Sequence, residues 1–201
     1  MDKVTSVLIV GVGGQGVILA SEILAEVALK VGMDIKKSEV QGMAQRGGAV
    51  SSHVRFGPKV YSPLIGIGDA DVILAFEALE AVRWAHYARA NAVVLANELR
   101  LVPTTAFAVK GAKYPDDPLA DLEGAGYHAV RIPADQVARE LGNVRLANTV
   151  LLGALSRHLE IPEETWTETI AARVPQKTVA ANHEAFRRGR SLLGNAGASH
   201  L

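Results

Sequence analysis

Residues 7–10, VLIV, run directly into Gly11–Gly16, GVGGQG. The first stretch is a short apolar run rich in β-branched residues, which is typical of a strand buried on both faces. The glycines predict a tight turn, and apolar residues then recur at three- and four-residue intervals over 17–31. We therefore predict a strand, a turn and a helix that begins near Gly14 or Gln15.

The glycines at positions 11, 13 and 16 match the pattern GxGxxG. In that pattern the first glycine permits a tight turn, the second lets an anion approach the backbone, and the third allows close packing of helix and strand. A dinucleotide site also needs an acidic residue about twenty positions later, and Glu39 lies near that spacing. The alternative is that the glycines only form a tight connection and bind no ligand.

Length, composition and charge indicate one globular domain. The chain has 201 residues, 49% of them hydrophobic and 21% charged, so it can bury a substantial core. Lys plus Arg and Asp plus Glu number 21 each. This balance gives no overall field that would attract nucleic acid or acidic membranes. We predict a single domain over residues 1–201, with a sheet core over about 4–132 and helices over about 135–193.

Two features concern the cellular setting. The chain begins without a targeting pattern, and no apolar stretch approaches the ~20 residues of a membrane span, so we expect a soluble cytoplasmic protein. The sequence contains no cysteine. That excludes disulfides, a thiol nucleophile and any iron–sulfur cluster held by cysteine thiolates of this chain.

Apolar runs alternate with segments of helical composition, which favours an α/β fold. The strand over 49–56 alternates in character, and its side with Ser51, His53 and Arg55 is expected to be the wetter one. Trp166, Ile170 and Val174 form an apolar stripe at helical spacing, which favours core packing over a cofactor site. Strands are predicted over 34–40, 49–56, 71–76, 92–96, 106–109 and 127–132, and helices over 77–89, 118–123, 135–141, 145–159, 163–173 and 177–193.

A second glycine-rich cluster, QGMAQRGG at Gln41–Gly48, joins two predicted strands. Its flexible backbone, its amide side chains and the Arg46 guanidinium suit a loop that binds carboxylate or phosphate. The alternative is a solvated surface connection. Loops at the carboxyl ends of neighbouring parallel strands meet in one crevice, so this loop and the first are expected to line one site, which residues 51–53 would extend.

Other chemical patterns are weak. Residues 68–71, GDAD, followed by Asn97, superficially match a thiamine-diphosphate signature, but the pattern is incomplete and a turn into the next strand explains it. His53 has no identifiable partner and receives no catalytic role. The six histidines are scattered without metal-ligand spacing, and the HExxH, GxSxG and GxxxxGK[ST] patterns are absent.

Three segments together resemble the gamma-type domain of 2-oxoacid:ferredoxin oxidoreductases. They are GVGGQGVILASEILAEVA at 11–28, SEVQGMAQRGGAVSSHVRFG at 38–57 and SPLIGIGDADVILAFEALEA at 62–81. The form QGMAQRGG, where other members have YGxxxRGG, is most similar to the beta subunits of indolepyruvate ferredoxin oxidoreductases. The resemblance implies a Rossmann-like three-layer α/β fold with a mostly parallel sheet and a helical C-terminal part.

The resemblance also implies the chemistry of a complex. Such complexes decarboxylate an arylpyruvate with thiamine diphosphate and Mg²⁺, pass electrons through iron–sulfur clusters to ferredoxin or another acceptor, and release an aryl-acetyl-CoA. Thiamine and clusters belong to a larger partner subunit, so this chain would hold no catalytic or metal-binding residue and would be inactive alone. Its matching cofactor-site positions, associated with coenzyme A access, are Gly11, Gly13, Gly14, Gln15, Gly16, Gln41, Gly42, Arg46, Gly47 and Gly48.

Two other functions stay open at this point. A free-standing NAD(P)-dependent reductase would use the GxGxxG pattern with Glu39. A non-catalytic assembly scaffold would use both glycine loops only to let subunits pack closely.

Overall fold

The computed structural model describes residues 3–41, 48–101 and 113–194. Within these ranges six strands form one sheet, and their bounds are Thr5–Val12 (β1), Asp34–Gln41 (β2), Ala49–Gly57 (β3), Ala70–Ala75 (β4), Ala88–Asn97 (β5) and His128–Ile132 (β6). Seven α-helices accompany them, namely Val17–Lys30 (α1), Ala78–Trp84 (α2), Pro118–Gly124 (α3), Ala134–Glu140 (α4), Ala147–Ser156 (α5), Glu163–Arg173 (α6) and Val179–Ser191 (α7).

The sheet order is β2-β3-β1-β4-β5-β6. Strands β1, β4, β5 and β6 pair in parallel, whereas β3 lies antiparallel to both β1 and β2. Strand β3 therefore runs against the other five, and the predicted mostly parallel sheet is confirmed. The connection over 42–48 explains this exception, because a parallel crossover needs a dozen residues or more.

Helices cover both faces of the sheet, which gives three layers. On β1, Val7 and Ile9 belong to a core shared with α1, α4, α5, α6 and α7. The alternate residues Leu8 and Val10 belong to a second core shared with α2 and α3. All four side chains are fully buried, as the apolar run predicted, and the Rossmann-like three-layer prediction is confirmed.

The C-terminal helices pack closely. Trp166 and Ile170 are fully buried, and Val174 packs against the same core, which confirms the predicted apolar stripe. Helices α5 and α7 approach each other at two glycines: a Cβ added at Gly153 would lie 2.2 Å from the Phe186 carbonyl oxygen, and one at Gly189 would lie 2.0 Å from that of Val150. Only glycine fits at this crossing.

Some predicted boundaries were wrong. The helix predicted over 77–89 ends at Trp84 and is followed by a short 3-10 turn, Ala85–Tyr87, and then by β5. The helices predicted over 145–159 and 177–193 begin later, because 3-10 turns occupy Val144–Leu146 and Gln176–Thr178, and they also end earlier, at Ser156 and Ser191. The strand predicted over 106–109 lies outside the described residues.

The predicted wetter side of β3 was also wrong. Ser51 and His53 are buried and Arg55 is half-buried. The chain between β3 and β4 covers this side: the Ile65 N–H donates to His53 Nδ1 at 3.1 Å. The Arg55 guanidinium donates to the carbonyl oxygens of residues 62 and 64. His53 and Arg55 thus hold this connection in place, and the connection keeps this side of β3 from being the wetter one.

None of the helices in the described ranges has both the length and the apolar character that crossing a membrane requires.

Candidate functional site

The first glycine loop is built tightly at the carboxyl end of β1. Gly11 is the penultimate residue of the strand, and a Cβ there would lie 2.7–2.8 Å from Gln15 Oε1, Phe76 Cβ and Val17 Cγ2. Any side chain would force these atoms apart. Gly11 is therefore required by packing, because the side chains of Gln15, Phe76 and Val17 lie directly against its backbone.

The Gln15 side chain closes the loop. Its Oε1 accepts the Val12 N–H at 2.7 Å, and its Nε2 donates to the Phe76 carbonyl oxygen at 3.1 Å. The same oxygen accepts a hydrogen bond from Asn97 Nδ2 at 3.1 Å. The carboxyl ends of β1, β4 and β5 are thus joined at Phe76 by two side-chain amides, and the loop is held by its own residues.

The loop leads into an uncapped helix N-terminus. Gly14 and Gly16 have φ angles of 99° and 87°, a left-handed conformation that favours glycine. Gly16 is the N-cap of α1, and none of the described side chains caps this end. The free amides and the helix dipole favour an anion at this point.

The second glycine cluster meets the first. The Gly13 N–H donates to the Gly48 carbonyl oxygen at 2.9 Å, where β3 begins beside the end of β1. Gln41 is the last residue of β2, while Gly42, Arg46 and Gly47 lie outside the described residues. The two loops adjoin as predicted, but the reason is the antiparallel pairing of β3 with β1, since β1 and β2 are not neighbours.

A cleft of about 490 Å³ opens from the first loop across the carboxyl edge of the sheet. The first loop and α1 form one wall, and the residues that precede and begin α5 form another. Among the described residues that line the cleft, Arg145 is the one basic side chain and Asp135 is the one acidic side chain. The lining residues are Gly14, Gln15, Gly16, Leu19, Ile23, Phe76, Asn97, Leu99, Asp135, Asn143, Val144, Arg145, Leu146, Ala147, Asn148, Thr149, Val174, Pro175, Thr178 and Asn182.

Sequence reasoning missed the polar wall of this cleft. Thr149 Oγ1 lies 3.1 Å from Asn148 Oδ1 and 2.7 Å from Asn182 Oδ1, and Asn182 Nδ2 donates to the Thr178 carbonyl oxygen at 2.9 Å. A Cβ on Gly16 would lie 3.0 Å from Asn148 Nδ2, so the first turns of α1 and α5 touch. The signal available in the sequence was the polar pair Asn148 and Thr149 in the first turn of α5, which is otherwise mostly apolar.

Asn97 and Asp135 lie together on one side of the cleft. Asn97 is 2% exposed, and its Nδ2 donates to Asp135 Oδ2 at 2.6 Å as well as to Phe76. Its Oδ1 has no hydrogen-bond partner in the part of the chain that the structure describes. A buried acceptor without a partner calls for an explanation, such as a bound group.

Next to the cleft, the Glu77 carboxylate organises the chain that follows β4. It is 1% exposed and accepts N–H groups of Leu79, Glu80 and Leu101 and the hydroxyl of Tyr114. Burial, and then the hydrogen bond to this carboxylate, raises the pKa of the Tyr114 hydroxyl. Burial also raises the pKa of the Glu80 carboxyl.

Several residues considered from sequence lie away from the cleft. Glu39 is engaged by Lys37 Nζ at 2.5 Å and by Ser21 Oγ at 3.4 Å, on an edge strand that β3 separates from β1. His53 lies under the β3–β4 connection. Asp71 binds the Ser6 N–H and pairs with Arg89 and Lys3 near the start of β4, which separates the GDAD segment from Asn97 at the end of β5.

Metal-ligand geometry is also absent from the described residues, which contain no group of three or more His, Cys, Asp or Glu side chains able to hold a metal ion.

The chain is similar to subunits of one class of oxidoreductase. Over 201 aligned residues it is 38% identical to the indolepyruvate oxidoreductase subunit IorB of Thermococcus kodakarensis, covering 96% of this chain and 99% of that protein. The gamma subunit of a keto/oxoacid ferredoxin oxidoreductase from Geobacter sulfurreducens superposes with a TM-score of 0.69 at 25% identity, covering 94% of this chain and 97% of that one.

A larger protein contains the same fold. The 2-oxoglutarate:ferredoxin oxidoreductase of Magnetococcus marinus, solved with 2-oxoglutarate, coenzyme A and succinyl-CoA bound, matches with a TM-score of 0.72 at 25% identity, over 96% of this chain and 31% of that one. The family model for pyruvate ferredoxin/flavodoxin oxidoreductase matches residues 6–192. The chain therefore belongs to the pyruvate ferredoxin/flavodoxin oxidoreductase family.

Proposed function

We propose that the chain is the small subunit of a 2-oxoacid:ferredoxin oxidoreductase that acts on indolepyruvate or a related arylpyruvate and forms an aryl-acetyl-CoA. The whole-length similarity to an indolepyruvate oxidoreductase subunit carries this proposal. Thiamine diphosphate with Mg²⁺ and the iron–sulfur clusters belong to a larger partner subunit, which passes electrons to ferredoxin or another acceptor. A chain without cysteine cannot supply thiolate ligands for those clusters.

In this proposal the cleft at the carboxyl edge of the sheet binds coenzyme A, whose thiol accepts the acyl group. The fit is supported by an uncapped α1 N-terminus, the left-handed glycines of the first loop and a cleft of about 490 Å³. The first loop, Gly11, Gly13, Gly14, Gln15 and Gly16, would hold the pyrophosphate. The second loop, Gln41, Gly42, Arg46, Gly47 and Gly48, would contribute to the same site.

The residues of the two loops would contribute to coenzyme A binding in different ways. The backbone N–H groups at the start of α1 would donate to phosphate oxygens. Gln15, whose amide is already bonded within the chain, would act through the shape of the loop and not through direct contact. Arg46 would add a positive charge that can bind an anion bidentately.

Co-expression with the larger subunit tests the proposal. We expect the purified complex to show iron–sulfur absorbance and to reduce ferredoxin in a reaction that needs both indolepyruvate and coenzyme A, while the isolated chain does neither. In the complex, Arg46→Ala should raise the KM for coenzyme A roughly tenfold or more, as for loss of a charge-assisted hydrogen bond. The exposed Arg83, on α2, provides a control, since Arg83→Ala should leave that KM unchanged.

The competing functions predict other outcomes. A nicotinamide-dependent reductase would bind NADH or NADPH saturably as an isolated chain, but Glu39 is engaged on the wrong strand for the ribose contact that this function needs. A pure scaffold would show weaker assembly of the Arg46→Ala complex with an unchanged KM for coenzyme A. Either result would overturn the proposal.

A further inference from the structure

The segment between β3 and β4, residues 58–69, displays apolar side chains to solvent, and we call it the apolar connection. Eight large apolar side chains are exposed among the described residues, and three of them lie within seven consecutive positions. These are Tyr61, Leu64 and Ile67, which are 89%, 59% and 72% exposed. Single exposed apolar residues are common on protein surfaces, whereas a cluster on one short segment marks a surface that another molecule covers.

Hydrogen bonds and packing hold the apolar connection in one conformation. The Arg55 guanidinium and His53 Nδ1 fix its middle, as described above. Farther along, the Gly68 N–H donates to the His86 carbonyl oxygen at 3.1 Å. Ile65 is buried in the core that the sheet shares with α2 and α3. Because this backbone is already fixed, little conformational entropy would be lost when a partner covers the exposed side chains beside it.

Aromatic side chains extend this surface. Trp84 and Tyr87 are half-buried and pack against the same core as Ile65. The centre of the Tyr87 ring lies 5.4 Å from that of Trp84 and 5.9 Å from that of His53. Tryptophan and tyrosine are enriched at the centres of protein interfaces. The apolar connection and these two rings therefore have the composition of a protein-binding surface.

The apolar connection lies at the edge of the sheet opposite to the cleft. It joins the end of β3 to the start of β4, and the antiparallel pairing of β3 with β1 places the end of β3 beside the start of β1. The cleft, in contrast, lies at the carboxyl edge. A molecule bound to the apolar connection would therefore leave the cleft uncovered.

The exposed charges beside the apolar connection are mainly positive. Lys59 Nζ lies 3.8 Å from Asp34 Oδ2, and Lys3 Nζ lies 3.3 Å from Asp71 Oδ1. The two lysine side chains are 67% and 65% exposed, whereas the carboxylates they face are 24% and 5% exposed. Asp69 is the exposed acidic residue within the connection. A second copy of the chain would bring two such positive rims together, so the complementary partner is a different protein with carboxylates around an apolar centre.

We propose that the apolar connection docks onto the larger partner subunit, which takes up Tyr61 and Ile67 in an apolar surface rimmed by carboxylates. The inference rests on the proposed function and names the surface through which the chain joins the complex. In the Magnetococcus marinus oxidoreductase the same fold matches 31% of a longer chain, so that domain is permanently joined to other parts of its enzyme. An apolar centre suits a lasting interface of this kind.

The electron acceptor is not the occupant of this surface. It must approach iron–sulfur clusters, and a chain without cysteine supplies no thiolates to hold them. Electron-transfer encounters also use small, transient interfaces, whereas three exposed apolar side chains on a fixed backbone favour a permanent one.

Competition for assembly tests the inference. The wild-type chain and a variant are co-expressed with a tagged larger subunit, and mass spectrometry gives their ratio in the purified complex relative to their ratio among the free chains. Ile67→Asp places a charge where the partner would exclude water, so the wild type should be favoured tenfold or more. Tyr61→Asp should act in the same direction, and Ile67→Val should compete within about twofold of the wild type.

Leu192→Asp is the matched control. Leu192 is 40% exposed at the end of α7, away from the apolar connection, and its replacement adds the same charge. This variant should be incorporated like the wild type. Thermal melting of the isolated chains should place Ile67→Asp within about 2 °C of the wild type, because an exposed substitution changes stability little.

Two results would overturn the inference. One is equal incorporation of Ile67→Asp and the wild type. The other is an isolated wild-type chain that forms a dimer in size-exclusion chromatography and that Ile67→Asp makes monomeric, since a second copy would then be the occupant. Failure of the proposed function looks different, because the larger subunit would then retain neither the wild-type chain nor the variant.

Discussion

The side-chain amide of Gln15 donates to the carbonyl oxygen of Phe76 at 3.1 Å, across the gap between β1 and β4. The same side chain accepts the Val12 N–H, so one residue satisfies two backbone groups at the carboxyl edge of the sheet. The shape of the first glycine loop is therefore fixed by hydrogen bonds within the chain and does not depend on a bound ligand.

Replacing Gln15 tests this relationship. We expect Gln15→Ala to lower the free energy of unfolding by about 1–3 kcal/mol, because the Val12 N–H loses its acceptor and the Phe76 carbonyl oxygen keeps only its hydrogen bond from Asn97. Urea unfolding followed by circular dichroism measures the change. Ser191→Ala, at the exposed end of α7, is a control that should change stability by less than about 0.5 kcal/mol. An equally small effect of Gln15→Ala would contradict the structural role.

The glycines at the α5–α7 crossing should be irreplaceable. Gly189→Ala places a Cβ 2.0 Å from the Val150 carbonyl oxygen, and backbone cannot move aside cheaply. A loss of about 1–3 kcal/mol or more is expected. Gly124→Ala, at the end of α3, meets nothing within 4 Å among the described residues and should be neutral or slightly stabilising. Thermal melting of the two variants decides whether packing, and not helix propensity, sets the result.

Buried histidines should make stability fall in mild acid. Burial lowers the pKa of His53, whose Nδ1 must stay unprotonated to accept the Ile65 N–H. Burial, followed by the charges of His128 and Arg157, lowers the pKa of His158. A lowered pKa means that the unfolded state binds more protons, so stability is full above about pH 6.5 and declines as pH falls through the lowered pKa.

Unfolding free energies measured between about pH 7.5 and about pH 5 should show this decline. His53→Gln should reduce the slope with pH while lowering stability at neutral pH, because the acceptor for Ile65 is altered. An unchanged slope in this variant would mean that His53 does not titrate differently in the folded and unfolded states.

The Glu77 carboxylate should couple the start of α2 to the segment around Tyr114. Glu77→Gln replaces one acceptor oxygen by a donor and should cost about 1–3 kcal/mol of unfolding free energy. Tyr114→Phe removes the hydroxyl alone. In a double-mutant cycle the combined loss should be smaller than the sum of the single losses, because the two side chains share one hydrogen bond. Additive losses would show that they act independently.

The sequence was sufficient to predict the α/β architecture and the first βα unit, since an apolar run, a glycine loop and a periodic helix agree with one another. It was also sufficient to predict that the two glycine clusters adjoin. The direction of β3 was missed, although a connection over 42–48 is too short for a parallel crossover. The burial of Ser51 and His53 could not be predicted, because it depends on where a later connection crosses the sheet.

The wall of the cleft opposite the first loop could not be predicted from the sequence for a similar reason. Asn97 and Arg145 are 48 positions apart along the chain, and no local pattern relates them. They share a cleft because β5 ends at the same edge of the sheet at which α5 begins. Such a site is assembled by topology, whereas the glycine loops are visible because their residues are contiguous.

The hydrogen bond between Gly13 and Gly48 has a consequence for association. It ties the ends of the two loops together before any ligand arrives. A molecule that has engaged one loop then meets the other at a high effective concentration, as in the binding of a chelating ligand. Two weak contacts, one on each loop, would then yield an affinity greater than either could supply alone.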